Sequence, residues 1–277
     1  MRRLALPSLL LSVAALGAAC VRLAAAEGPR PFDLDLHLRG ERIFERQCAP
    51  CHGRGGRGDG DWAAEVANKP RDLTAGVFKF RSTPPGTLPT EADLVRTLRT
   101  GITGTMMPTF AKLTSSELRA VIAYVRSFSK RWEDPRNYAE PVPLPASPPA
   151  WFFQPAAAEA ARLRGAALFA AHCAACHGPA GHGDGPAAAG LRDHTGRPIA
   201  PAVLAQPHHK SGDSAVDLYR TIAVGLDGTP MAGFLPALGP DALWDLVVFI
   251  RALPPAAAAP SSSGPTAQPP APPPTRR

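Results

Sequence analysis

The chain has 277 residues, of which 45% are hydrophobic and 19% charged, and it carries a formal net charge of +7. Three of those charges, Arg2, Arg3 and Arg22, lie in a leading segment that holds no acid, so the remainder carries +4. So mild a basic excess is not the footprint of a nucleic-acid binder, and nucleic acid is not an expected partner. It fits ordinary solubility, or a patch that steers docking to an acidic protein partner.

In chain order, residues 1–26 read as a secretory signal peptide: Arg2 and Arg3, an apolar run from Leu4 to Ala19, then Ala24-Ala25-Ala26. The run is shorter than the roughly twenty residues of a membrane span. The expected location is therefore periplasmic or exported. Leu16-Gly17-Ala18-Ala19-Cys20 also resembles a lipoprotein cleavage site. A lipidated Cys20, or an uncleaved leader, would attach the protein to the outer side of the inner membrane.

A helix is expected over Leu38 to Gln47, with Ile43 and Phe44 facing inward. It leads into Cys48-Ala49-Pro50-Cys51-His52, a Cys-x-x-Cys-His motif. That spacing sets two sulfurs on one side of a tight turn, where they can form thioethers to the vinyl groups of one haem while the histidine reaches the iron. Cys-x-x-Cys alone also occurs in zinc sites and redox dithiols. The glycine-rich stretch from Gly53 to Gly60 has the composition of a tight loop. It is followed by a basic run, Lys69-Pro70-Arg71 to Phe80-Arg81, whose arginines are candidates for pairing with haem propionates.

Thr90-Glu91-Ala92-Asp93 is close to a capping box and starts a helix that ends near Thr100 at Gly101. Gly104-Thr105-Met106-Met107-Pro108 follows, then a second capping box, Thr114 to Glu117. Its helix has Leu118, Val121, Ile122 and Val125 on one face. Residues 131–159 form a proline-rich linker, with Trp151, Phe152 and Phe153 expected to pack it onto a module.

The elements then recur. A helix over Arg162 to His172 leads into Cys173-Ala174-Ala175-Cys176-His177, and His177 to Gly185 aligns without a gap on His52 to Gly60. Gly40 and Phe44 reappear as Gly165 and Phe169. Asp93 to Thr97 returns as Asp217 to Thr221, and Met107 as Met231 in Gly228-Thr229-Pro230-Met231. Met106 aligns with Pro230 and is the weaker candidate. The last helix starts at Pro240 and repeats the apolar face with Leu243, Leu246, Val247 and Ile250. A fixed internal period means two copies of one small domain. Residues 254–277 are Pro, Ala and Ser, with disorder expected.

These motifs together resemble a di-haem c-type cytochrome made of two tandem class I cytochrome c domains, over residues 33–130 and 160–253. The resemblance implies an all-α fold, each domain wrapped around one covalently attached haem c, and hence two haem c groups with iron. Cys48, Cys51, His52, Cys173, Cys176 and His177 would hold the cofactors. His52 with Met107 and His177 with Met231 would be the axial metal ligands. It further implies a single-electron carrier rather than an enzyme, with no catalytic residues. Its redox partners would be a respiratory complex, a terminal oxidase or reductase, or a periplasmic dehydrogenase. The first and last helices of each domain should cross at Gly40, Phe44 and Tyr124, and at Gly165, Phe169 and Phe249. The alternative is a di-haem enzyme, peroxidase-like or thiosulfate-oxidising, with one labile axial ligand. His182, His194, His208 and His209 are the alternative ligands in the second copy. The four motif cysteines leave only Cys20 of five, so no disulfide is expected.

Overall fold

The computed structural model describes residues 27–255. The leader with its charges and Cys20, and residues 256–277 of the tail, lie outside them. Among the described residues, eight α-helices fall into two groups of four. The first holds α1 (Leu34–Gln47), α2 (Ala49–His52), α3 (Glu91–Thr100) and α4 (Ser115–Ser127). The second holds α5 (Pro155–His172), α6 (Ala174–His177), α7 (Ala215–Val224) and α8 (Leu235–Arg251). Among the described residues the only strand-like pairing is one bridge between Arg192 and Pro198. None of the helices described is long and apolar enough to cross a membrane.

The helix starts are chemically encoded. Asp33 caps α1 by accepting from Leu36 N–H at 3.0 Å, which sets the helix back four residues from the expected Leu38. Thr90 and Thr114 make full capping boxes with Asp93 and Glu117, and Ser214 accepts from Asp217 N–H. α5 opens with Pro155 at its first position and so reaches back into the proline-rich stretch. In α8 the backbone breaks at Gly239 (φ 75°, ψ 170°), and Pro240 opens the segment that packs on the core. The turn from Leu235 to Leu238 carries no periodic signal of its own in the sequence.

Each module is built on a crossing of its first and last long helices, α1 with α4 and α5 with α8. Gly40 and Gly165 sit at the crossings, where the absence of a side chain lets the backbones touch. Phe44 and Tyr124 pack beside the first crossing with centroids 5.3 Å apart, and Phe169 and Phe249 beside the second at 5.1 Å. Module 2 has one continuous core of eleven buried residues, including Tyr219, Leu243, Trp244 and Val247. In module 1 the core is split into a cluster around Phe44 and Val121 and another around Leu88, Ile122 and Trp132.

The connection contains single 3-10 turns at Lys130–Glu133, Pro135–Asn137 and Ala150–Phe153. Trp132 is buried under Arg126, whose guanidinium lies 4.8 Å from the ring centroid. Trp151 and Phe152 pack on the module 2 core, Phe152 at 5.7 Å from Trp244, whereas Phe153 is turned outward and 73% exposed. At the other end Glu27 pairs with Arg126 at 3.1 Å and accepts from Glu91 N–H, so the described chain begins docked on module 1.

Asp93 ties this scaffold together. Its carboxylate is 1% exposed and accepts from Ser82 N–H and Oγ, Thr90 N–H and Oγ1, and Arg96. Asp93→Ala leaves one buried and one partly buried backbone N–H and a guanidinium without an acceptor. A loss of about 3 kcal/mol is expected in denaturant unfolding of the haem-loaded protein. Asp217→Ala, at the more exposed equivalent site, should cost less.

Candidate haem-binding sites

α1 ends at Cys48, and its hydrogen-bond ladder continues through the motif: Cys48 N–H to Phe44 O, Cys51 N–H and His52 N–H to Cys48 O, at 2.8, 3.1 and 2.8 Å. Module 2 repeats the ladder at 2.8, 3.1 and 2.9 Å through Cys173, Cys176 and His177. One short turn thus presents both sulfurs and the imidazole. Gly53 (φ 73°) and Gly178 (φ 74°) end it in the left-handed region, each with the carboxylate of Asp59 or Asp184 where a side chain would stand. The loop then folds back, donating from Gly58 to His52 O and from Gly183 to His177 O, both at 2.8 Å.

The histidines are oriented alike. His52 Nδ1–H donates to Arg71 O at 3.0 Å and His177 Nδ1–H to Ala202 O at 2.9 Å, which fixes the tautomer and leaves Nε2 with its lone pair. The acceptor lies 19 residues downstream in module 1 and 25 in module 2, so the intervening loops differ while the outcome is the same. Burial lowers the pKa of both imidazoles, against the carbonyl contact, and so favours the neutral, ligating form.

Cys48, Cys51, Cys173 and Cys176 are free of disulfides. Burial pushes Cys48 up to about 12 and Cys173 up to about 11, with the neighbouring motif cysteine adding to each. Both are neutral thiols at ordinary pH. Among the described residues no three Cys, His, Asp or Glu side chains converge closely enough to hold a metal ion by themselves.

The two methionine loops share one backbone pattern. Ile102 N–H donates to Met107 O, and Met107 N–H to Thr105 Oγ1, at 3.1 Å each. Leu226 N–H donates to Met231 O at 3.0 Å, and Met231 N–H to Thr229 Oγ1 at 3.2 Å. Met107 and Met231 are half-buried, whereas Met106 is 69% exposed. Of the other histidines, His208 is exposed and bonded to Asp213 at 2.7 Å, His194 lies against Gly228 O, and His182 is exposed.

A cationic seam joins the modules. Lys79, Arg81, Arg96 and Arg220 line one small cavity between them. Burial first, then Arg71 and Lys210, lower the Lys79 pKa to about 8, with Asp193 opposing. Arg81 is 1% exposed, and its Nε is buried with no partner. Crowded cations and an orphaned donor call for anions, and haem brings two carboxylates. With two disulfide-free cysteines and a bare imidazole nitrogen on one short turn of each module, the donor set fits a haem c in each module.

The sequence offers Arg71 and Arg81 only as candidates for pairing with propionates. Arg81 in fact spends both Nη groups on module 2: it donates to Val224 O and Gly225 O at 3.3–3.4 Å and lies 3.6 Å from Asp227. No local pattern announces that contact, because its partners are more than 140 residues away.

Comparison with known proteins agrees with this geometry. Residues 163–254 match the family described as cytochrome c, and residues 35–125 the family described as cytochrome c oxidase, cbb3-type, subunit III. The chain is similar to the cbb3-type cytochrome c oxidase subunit FixP of Azorhizobium caulinodans, 26% identical over 224 residues, which is 77% of this chain and 58% of that protein. It thus spans little more than half of that curated relative. Among solved structures it resembles a chain of the reducing HAO-like protein complex of Kuenenia stuttgartiensis, with TM-score 0.68 and 35% identity over 78% of this chain and 96% of the other. The chain belongs to the c-type cytochromes, as a di-haem member with one haem c held covalently in each helical module.

Proposed function

We propose that this cytochrome carries single electrons between membrane-bound or periplasmic respiratory partners by outer-sphere transfer, with His52 and Met107 as one axial pair and His177 and Met231 as the other. A cbb3-type terminal oxidase is the partner class to which its relatives point. The observation that carries the reading is the repetition, in both modules, of a tautomer-fixed histidine and a half-buried methionine on a braced loop.

Bound haem c supplies a one-electron couple at its iron, and a methionine ligand raises the potential. The rest falls to the chain. His52 and His177 keep Nε2 oriented through their carbonyl bonds, so little rearranges when charge changes. Met107 and Met231 would supply the second protein ligand to each iron, which would leave no open site for a substrate. The apolar residues clustered around Phe44 and Phe169 would exclude water from the cofactor's apolar face. The leader directs export, and the protein works on the periplasmic side, free or anchored through Cys20.

An optical redox titration of the fully matured protein tests this. Two haems per chain are expected, both low-spin, both showing the far-red charge-transfer band of a methionine sulfur on oxidised iron. Met107→Ala and Met231→Ala should each remove half of that band and lower one potential. A high-spin haem in the parent protein, or peroxide turnover, would replace the carrier with a di-haem enzyme whose axial ligand is labile.

A further inference from the structure

The loop that carries Met231 is held from outside its own module. It leaves the C-terminal end of α7 at Val224 and runs through Gly225, Leu226, Asp227 and Gly228 to Met231. The guanidinium of Arg81, from module 1, caps that helix end: Nη1 and Nη2 both donate to Val224 O at 3.3 Å, and Nη1 to Gly225 O at 3.4 Å. These carbonyls carry the partial negative charge of the helix terminus. Asp227, inside the loop, is 3.6 Å from the same guanidinium and accepts from module 1's Gly86 N–H at 3.0 Å. Gly228 adds a third tie, with the Val77 side chain of module 1 pressed so close that a Cβ there would meet it at 2.8 Å.

The anchor itself is rigid. Ser82, next to Arg81, gives its N–H and Oγ to buried Asp93, and its carbonyl accepts from Val142 N–H at 2.8 Å. The opposite tie is slight. Lys210 of module 2 reaches Asn68 at 2.9 Å, and Asn68 reaches Gly104 O of the Met107 loop at 3.4 Å, both in exposed positions.

We infer that Arg81 is a positioning residue for Met231, so that module 1 sets the axial ligation of the haem in module 2 while the reverse dependence is weak. This rests on the reading of Met231 as an axial ligand. An isolated helix C-terminus followed by a glycine-containing loop has soft backbone torsions. The fork of Arg81, desolvated and charge-assisted on two carbonyls, removes that freedom.

The test uses the haem-loaded protein in a Met107→Ala background, where the remaining methionine-to-iron band reports on Met231 alone. Met231→Ala in this background must abolish it; a band that persists overturns the axial assignment, whatever Arg81 does. With that satisfied, Arg81→Ala is expected to raise the fraction with methionine detached by roughly tenfold, the effect of losing one charge-assisted hydrogen bond. The loss should appear as a lower thermal midpoint of the band and new carbon monoxide binding by the reduced protein, before helix unfolds by circular dichroism. Arg81→Lys keeps the charge but not the fork and should recover only part of the band. Asp227→Asn repeats the test without removing the arginine and decides the matter if Arg81→Ala does not mature. Lys210→Ala in the otherwise unmutated protein should leave the Met107 band unchanged. A band midpoint unaffected by Arg81→Ala, or by Asp227→Asn where only that variant matures, or fully restored by Arg81→Lys, would overturn the clamp.

Discussion

Replacing Cys48 and Cys51 together by alanine is expected to halve the covalent haem per chain and to unfold module 1 while module 2 keeps its cofactor. The core of module 1 is divided where that of module 2 is continuous: one cluster lies around Phe44 and another around Leu88, and charged Arg81, Asp93 and Arg126 are buried in the same module. A domain near a hundred residues retains only about 5–15 kcal/mol of net stability, so an apolar cofactor that completes the core decides whether it folds. Haem staining on a denaturing gel and haem-to-chain stoichiometry give the first half of the result. The second is loss of the α1 to α4 contribution to helix content. An unchanged stoichiometry would exclude thioether attachment at these two cysteines. The clamp adds a consequence in trans: without a folded module 1, Arg81 leaves α7, and the Met231 band should weaken although module 2 is intact in sequence.

That coupling marks the boundary of what could be read from the chain. The cofactor motifs, the paired methionines and the capping boxes were legible because each is written within a few residues, and duplication repeats each in register. Thr90 with Asp93, Thr114 with Glu117, and Gly101 with Gly225 behave as their local chemistry dictates. The start of α1 is not legible, because Asp33 caps it through one hydrogen bond with no acidic residue three positions on to complete a box. The first turns of α5 are not legible either, because Ala156 to Ala161 has helical propensity without an apolar face and Pro155 continues the proline-rich composition of the linker. The early turn of α8 belongs to the same class, since its register is broken by Gly239. The seam was illegible for a different reason. Arg81 reads as a partner of propionates and Arg96 and Arg220 carry no signal of their own until two modules are placed face to face, and no periodicity encodes that placement.

Gly40→Ala and Gly165→Ala should each destabilise the protein, against the intrinsic preference of a helix. In an open helix the exchange gains about 1 kcal/mol. Here a Cβ at Gly40 would fall on the carbonyl of Ala120, 2.7 Å from its carbon and 2.8 Å from Tyr124 Cβ. At Gly165 it would fall on the carbonyl of Asp245, 2.7 Å from its carbon and 2.8 Å from Phe249 Cβ. The obstacle in both cases is backbone in the middle of a helix, which cannot turn aside as a side chain would. Relief requires α1 to move off α4, or α5 off α8, and that opens the contacts of Phe44 with Tyr124 and of Phe169 with Phe249. The overpacking cost exceeds the propensity gain, for a net loss of about 2–4 kcal/mol. In a module of this size that lowers the thermal midpoint by roughly 10 °C or more. Gly190→Ala is the control, since nothing lies within 4 Å of its Cβ position, and it should fall within about 0.5 kcal/mol of the parent. Unfolding of the haem-loaded variants, followed through the Soret band and by circular dichroism, measures all three. A Gly165→Ala protein as stable as the control would mean that the two helices can separate at no cost, and the crossing would lose its place as the frame on which both haem motifs are set.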